Sequence, residues 1–483
     1  MCPPLGAILL IVLSASCRTQ PPPPVPWFAG EARLPGVKPP PSNTIPVTSF
    51  VANYLIQSPE SQGDGFGSRL VLGNRTLVVA APGAAGGGAV WIFDTSVLSQ
   101  KPARLGIGGD TSLIGFGQAI AVSPSGQFVA VGAPGSTVNG IKGAGAVLVW
   151  KREADGWVFM ERFQDDDPGE HAGFGSAVAL DDYNLVIGAP RAGTPEIPEH
   201  GLVVVRAARA PGKWLEPDTL MAETPRPGEH FGERIEIMTG DALISADPPG
   251  REGVLRLFRN RLGKWGAKPV AEVTPQRNTR LDRFGASASI YIDSRLRKPR
   301  EAERAGYDPG MLAIGAPGAN IASASDVGRV HLFEQNPKSR AWRERTQLIS
   351  PDPQSQADFG AAVSISRDRL VVGAPGFNHG ETPDAGAAYV YKSFVDRDTD
   401  ELAWKPVFEL RPARPLGAGR FGAAVSASDD CIAISEPGRE RVHLFTRTEA
   451  GPGLPAPAAE PETQGQAVPA PIPQPVVIST SSL

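Results

Sequence analysis

The sequence predicts an all-β protein, a seven-bladed β-propeller with four-stranded blades in which the N-terminal strand closes the last blade. Three observations support this prediction. A three-part motif occurs seven times in the same order, glycine (55) and proline (49) are abundant, and a spare strand before the first repeat matches a strand missing from the last. Repeated units of a few short strands separated by turns are the pattern of a propeller.

The repeated motif begins with Phe-Gly, runs through a short apolar strand, and reaches a second strand that ends in Gly-Ala-Pro or a variant. A third apolar strand follows. The fourth and seventh repeats depart from Gly-Ala-Pro at 246–248 (Ala-Asp-Pro) and 435–437 (Ser-Glu-Pro). Glycine permits close approaches that a Cβ forbids, and proline ends a strand where no ladder donor is needed. The Phe-Gly pairs begin at Phe66, Phe116, Phe174, Phe231, Phe284, Phe359 and Phe421.

A fourth strand follows most third strands and often opens with tryptophan, as at Trp157, Trp342 and Trp404. The seventh repeat lacks this strand, because the chain leaves the repeat region after Phe445. An unassigned apolar strand at 49–56 precedes the first Phe-Gly. We expect it to supply the missing strand, since an open ring leaves a blade edge unpaired. The propeller is assigned to residues 47–446.

Composition limits the function classes. The chain has 47 basic and 51 acidic residues and a net charge of −4, so no strong field favours nucleic acid as a partner. Only Cys431 lies in the repeat region, which excludes a disulfide framework there. No nucleophile elbow, phosphate loop, HExxH or CxxC pattern is present, so a non-catalytic protein is expected. The protein is also expected to be a monomer.

The termini predict export and anchoring. Residues 1–16 form an apolar signal peptide too short to span a bilayer. The small residues before Cys17 resemble the lipobox of bacterial lipoproteins, which implies lipidation of Cys17. A plain secretory signal is the alternative. Residues 17–46 form a lipidated, proline-rich linker, and residues 447–483 a disordered Pro/Ala-rich tail. With Arg18 after Cys17, lipoprotein sorting implies the outer membrane or cell surface.

The Phe-Gly and Gly-Ala-Pro motifs resemble the FG-GAP repeats of the integrin α-subunit propeller and its bacterial relatives, over about 47–446. The resemblance implies ligand contact through the loops between strands four and one and between strands two and three. Such relatives often bind calcium between strands one and two, but these loops here lack alternating acidic ligands, so no cofactor is expected. The loops predicted to contact a ligand are 164–173, 191–200, 224–230, 276–283, 377–385 and 412–420.

Within these loops, charged and histidine side chains are the candidate ligand-binding residues, and their mixed charge suits a protein or glycan partner. His171 and His230 recur in similar Pro-Gly-Glu-His segments. This recurrence is compatible with a metal or catalytic site and equally with a shared turn structure. The candidates are Asp165, Asp166, Asp167, His171, His200, His230, Arg277, Arg280, Arg283, His379 and Arg420.

A second metal candidate is the acidic run of Asp396, Asp398 and Asp400, whose alternating carboxylates resemble half of a calcium loop. A solvated hairpin tip is the alternative, because the central glycine is missing. The leading functional hypothesis is thus an envelope-anchored, non-catalytic adhesion or scaffold propeller that binds protein or glycan. The alternatives are a propeller enzyme acting on polysaccharide and a structural subunit of an envelope complex.

Overall fold

The computed structural model describes residues 50–60, 63–106, 110, 112–238, 240–246, 253–261, 263–275, 282–292, 310–336, 339, 341–366, 368–395, 402–447 and 476–479. All of them belong to one structural unit, Thr48–Ser481. The predicted signal peptide, Cys17 and the proline-rich linker lie outside the described residues. No helix in the described ranges is long and apolar enough to cross a membrane.

The described elements are almost all short strands, as the abundance of turn residues predicts. In chain order they are β1 (Phe50–Gln57), β2 (Arg69–Gly73), β3 (Thr76–Ala81), β4 (Ala89–Asp94), β5 (Ala103–Leu105), β6 (Ala119–Val122), β7 (Phe128–Ala133), β8 (Ala146–Glu153), β9 (Gly156–Phe163), β10 (Ala177–Leu180), β11 (Asn184–Ala189), β12 (Leu202–Ala210), β13 (Lys213–Trp214), β14 (Asp218–Leu220), β15 (Ile235–Met238), β16 (Asp241–Ala246), β17 (Val254–Arg261), β18 (Lys264–Trp265), β19 (Ala271–Val273), β20 (Ser287–Ile292), β21 (Gly310–Ala316), β22 (Arg329–Gln335), β23 (Trp342–Leu348), β24 (Ala362–Ser366), β25 (Arg369–Ala374), β26 (Ala387–Val395), β27 (Leu402–Arg411), β28 (Val425–Ala427), β29 (Cys431–Glu436), β30 (Arg441–Arg447) and β31 (Val476–Ser479). A turn of 3₁₀ helix spans Pro437–Arg439.

These strands form seven antiparallel sheets, which are the blades. Blades one, two and five are β2-β3-β4-β5, β6-β7-β8-β9 and β20-β21-β22-β23. Blade six is β24-β25-β26-β27, with β31 added at its outer edge. In blades three and four the outer strand is divided in two, β13 with β14 and β18 with β19. Blade seven is β28-β29-β30-β1. The predicted seven-bladed propeller, and its closure by the N-terminal strand, are confirmed.

The core lies between successive blades. Second strands such as β7 and β11 are buried at every position, whereas the outer strand β9 is mostly exposed. Side chains on opposite faces of a strand therefore contact different neighbouring blades. In one cluster Val147 and Val149 of blade two pack with Val178 and Leu180 of blade three. This explains why the second strands read as continuous apolar runs.

The Gly-Ala-Pro glycine provides the closest contact between blades. A Cβ added to Gly132 of blade two would lie 2.0 Å from the carbonyl oxygen of Gly175 in blade three. The Gly175 amide in turn donates to the Gly188 carbonyl within its own blade (2.9 Å). The backbones of adjacent blades thus touch where both motifs carry glycine, which fixes the spacing of the ring.

The C-terminal strand β31 differs from the expectation of an unstructured tail at 447–483. It pairs antiparallel with the outer strand of blade six, Phe408 opposite Ser479 and Arg411 opposite Val476. Its backbone also comes within 8 Å of β1 in blade seven. Residues 448–475 and 480–483 of the predicted tail lie outside the described residues. An outer blade edge presents unpaired backbone groups, which a late apolar segment can pair.

Candidate binding face and axial channel

The loops before each Phe-Gly pair and the loops between strands two and three lie on one face of the ring. The amide of Phe231 donates to the carbonyl of His200 in the preceding blade (3.0 Å), and that of Phe421 donates to Ala385 (3.0 Å). The same bond joins Phe174 to the preceding blade. These bonds carry the predicted contact loops onto a common surface, called the loop face below.

The residue directly before each Phe of the repeat adopts a left-handed backbone. In the first three blades it is glycine. In the last four blades it is His230 (φ 50°), Arg283 (φ 54°), Asp358 (φ 55°) and Arg420 (φ 56°). A side chain in this conformation costs free energy that glycine avoids, and such strain concentrates at functional positions. We call these four residues the charged arc.

The charged arc carries basic and acidic side chains across blades four to seven. Arg283 Nη2 lies 2.5 Å from Asp358 Oδ1, which joins blade five to blade six. His230 Nε2 lies 3.2 Å from Glu199 Oε2. Arg420 is exposed and makes no ion pair within the described part of the chain. Three of the four residues were predicted, and Asp358 was missed because its loop was not among those chosen.

The other candidates in blades two and three do not join this arc. Asp166, Asp167 and His171 are exposed, and partial burial raises the pKa of Asp165. His171 stands three residues before its Phe, whereas His230 stands directly before its own. The two histidines therefore occupy different positions in the repeat, and the similarity of their segments does not bring them together.

Two further candidate histidines are held against loop backbone. His200 is buried, and its Nδ1 donates to the Gly201 carbonyl (2.8 Å). His379 Nε2 donates to the Gly386 carbonyl (2.8 Å), and burial lowers the pKa of this imidazole. Both rings thus stabilise loop conformation. The remaining candidates lie outside the described residues: Arg277, Arg280, Asp396, Asp398 and Asp400.

Within the described residues, the turns between strands one and two do not fit a calcium ion. Asp181 has the most suitable carboxylate, but its Oδ1 accepts from the Asn184 amide (2.7 Å) and its Oδ2 from the Gly240 amide (3.0 Å). These bonds use the carboxylate to join blade three to blade four. Within the described ranges, no group of three or more His, Cys, Asp or Glu side chains is arranged to hold a metal.

The axis of the ring is an open channel lined by the first strand of every blade. It has a wide compartment of about 850 Å³ at the turns between strands one and two. A narrow compartment of about 300 Å³ lies toward the loop face. Ile120, Val178, Ile235 and Glu236 line both compartments and so mark their junction.

Glu236 is the ionisable side chain at this junction. Burial raises its pKa to about 8, and among the described residues it has no hydrogen-bond or ion-pair partner. The equivalent residue, five positions after each Phe, is small or aliphatic in the other blades: Val71, Ala121, Ala179, Ser289, Ser364 and Ser426. Alignment of the seven repeats at this position shows Glu236 as the exception, whereas the Phe-Gly and Gly-Ala-Pro motifs alone do not.

The three serines at this position are structural. Ser364 Oγ accepts from the Ala427 amide of the next blade (2.9 Å), and Ser426 Oγ accepts from the Leu72 amide (3.0 Å). Ser289 makes the equivalent bond. Glu236 has no such bond, so its carboxyl group faces the channel with its hydrogen-bonding capacity unused among the described residues.

Comparisons with known proteins agree with the repeat architecture. Residues 342–391, which contain β23, β24 and β25, match the family model described as FG-GAP repeat. No curated protein matches the sequence. Among solved structures, the "Structure of U3-55K" is similar with 11% identity and a TM-score of 0.46, covering 81% of this chain and 98% of that chain.

The seven blades define the class, a β-propeller. Within this ring, residues 342–391 are similar to the FG-GAP repeat. This fold supports a binding or scaffold role in general.

Proposed function

We propose that this protein is a non-catalytic, envelope-anchored propeller that binds a protein or glycan partner on its loop face, through the charged arc. The observation that carries the proposal is the strained backbone of His230, Arg283, Asp358 and Arg420. Glycine serves at the same position in blades one to three, so the ring does not need these side chains for folding. Charged side chains occupy positions where glycine would be less strained, which indicates that they contact a partner.

The mixed charge of the arc suits a specific partner of complementary pattern. Arg420 and Arg283 are exposed cations, Asp358 pairs with Arg283, and Glu199 lies beside His230. Charges at the rim of an interface mainly set partner choice and association rate. Binding is therefore expected to weaken as salt rises, because exposed charges are screened.

The experiment is cross-linking in cells followed by mass spectrometry, with a variant that carries glycine at all four arc positions. This variant adopts the sequence of the first three blades and should keep the backbone. The matched control replaces Asp429 and Asp430, on the opposite face, with asparagine. We expect a partner captured by wild type and control to be lost from the glycine variant. Capture of the same partners by all three contradicts the proposal.

Envelope anchoring is supported by the sequence of the N-terminus. Cys17→Ser removes the acylated thiol, so labelling with a palmitate analogue and sedimentation with membranes should both be lost. A protein that is exported, cleaved and never labelled favours the plain secretory signal. Two other outcomes favour the alternative functions. Polysaccharide cleavage that requires this protein favours an enzyme. Co-purification with partners at fixed stoichiometry favours a structural subunit.

A further inference from the structure

The axial channel combines the Glu236 carboxyl group, at the junction of its two compartments, with walls that are apolar in part. Glu236 is partly exposed, and this exposure is to the channel because the side chain lines both compartments. Desolvation is the cause of its raised pKa. A largely desolvated carboxyl group without a partner is costly when ionised and is stabilised by a cation that enters the channel. The apolar residues around the wide compartment include Val71, Ile120, Val178, Ile237, Tyr291 and Ile365.

We propose that the axial channel binds a small aliphatic primary amine, with its ammonium group against the Glu236 carboxylate and its alkyl chain in the wide compartment. A single carboxylate offers too few oxygens for a divalent cation, which takes six or more oxygen ligands, several of them from the protein or substrate. An ammonium group has three donors and suits one carboxylate. The alkyl chain accounts for the apolar walls.

Charges along the channel set the orientation of the ligand. The narrow compartment contains Arg69, Glu233 and Arg234. Burial, and then the like charge of Arg234, lower the pKa of the Arg69 guanidinium, so two cations lie close together at this end. They oppose entry of an amine from the loop face. We therefore expect the ammonium group to enter through the wide compartment and stop at Glu236.

Among the described residues, those at the opening of the wide compartment are more favourable to a cation. Asp429 and Asp430 are exposed there, and Arg75 lies 4.0 Å from Asp94. Tyr291 and Cys431 are the other titratable groups of the wide compartment, and burial raises the pKa of the Cys431 thiol, so it stays neutral. Glu236 is thus the group that is expected to change protonation when an amine binds near neutral pH.

The test is isothermal titration calorimetry of the full-length protein with n-hexylamine, and with hexan-1-ol as the neutral probe of similar shape. Wild type should bind hexylamine at least tenfold more tightly than hexan-1-ol. Glu236→Gln, which keeps the shape of the side chain, should reduce hexylamine affinity to the level of the alcohol. Glu233→Gln removes a nearby charge from the narrow compartment and should leave affinity within twofold.

Two further readouts separate a bound amine from a general electrostatic effect. Across butylamine, hexylamine and octylamine, affinity should rise about fourfold per methylene group, because each one buried contributes about 0.8 kcal/mol. Near pH 7, wild type should release close to one proton per hexylamine bound, measured in buffers of different ionisation enthalpy, and Glu236→Gln should release none.

The proposal is overturned if wild type and Glu236→Gln bind hexylamine equally, if hexylamine and hexan-1-ol bind wild type equally, or if no binding is detected. These outcomes do not depend on the loop face. The channel proposal and the proposed function can therefore fail separately.

Discussion

Arg283 of blade five and Asp358 of blade six form an ion pair across the blade boundary, and both hold left-handed backbone conformations to do so (φ 54° and 55°). The two side chains are 52% and 25% exposed, so the pair itself contributes little to stability. The ion pair instead fixes the positions of two opposite charges at the centre of the charged arc.

Arg420 gives the clearest test of backbone strain, since its side chain has no ion-pair partner in the described ranges. Arg420→Gly should raise the free energy of unfolding by about 0.5–1 kcal/mol, because relief of strain exceeds the added entropy of the unfolded chain. Arg420→Ala removes the charge, keeps the strain, and should give no such gain. Urea denaturation of the three proteins measures this, and equal gains from both variants contradict it.

The contact between Gly373 and Gly422 predicts that a side chain at Gly373 strongly lowers the free energy of unfolding. A Cβ on Gly373 would lie 1.9 Å from the Gly422 carbonyl oxygen of the next blade. Gly373→Ala must push two blades apart and should cost about 2–3 kcal/mol or more. Gly266→Ala is the matched control, because the nearest atom to its added Cβ is 3.5 Å away. Similar melting temperatures for both variants contradict the assigned role of the contact.

Closure of the ring depends on Glu440 as well as on β1. Its Oε1 accepts hydrogen bonds from the amides of Gly63 (2.6 Å) and Gly65 (3.2 Å), which join blade seven to the first Phe-Gly loop. Glu440→Ala should lower the free energy of unfolding by about 1–2 kcal/mol. Glu440→Gln keeps a carbonyl acceptor and should lose less. Hydrogen exchange should quicken at Gly63 and Gly65 in the alanine variant, and unchanged exchange there would contradict this assignment.

Glu236 predicts a pH dependence of stability. Its pKa is raised from 4.5 to about 8 in the folded protein, so the unfolded chain releases this proton first. The free energy of unfolding should therefore fall, through this group, as pH rises from about 4.5 to 8. Glu236→Gln lacks this titration and should exceed wild type by a few kcal/mol at pH 8.5, and differ little near pH 4. Parallel stability curves for the two proteins contradict the raised pKa.

Much of the binding face could be predicted from local sequence, and the reason is repetition. Arg283 and Arg420 each precede a Phe-Gly pair, so the repeat itself places their loops on one face. The inward position of His200 could not be predicted, because it depends on the backbone carbonyl that its ring meets. Asp358 was missed for a related reason, since its importance comes from Arg283 in another blade.

The sequence by itself determined the number of blades, their strand order and the closure of the ring. These properties follow from local patterns: seven Phe-Gly pairs, apolar second strands, and one spare strand at 49–56 for one missing at the end. The tertiary structure decided which residues meet across blades, including the placement of Glu236 in the channel and the pairing of β31 with β27. The physical reason is that a repeat fixes each strand's partners within its own blade, while contacts between blades depend on how the closed ring sets neighbouring backbones against each other.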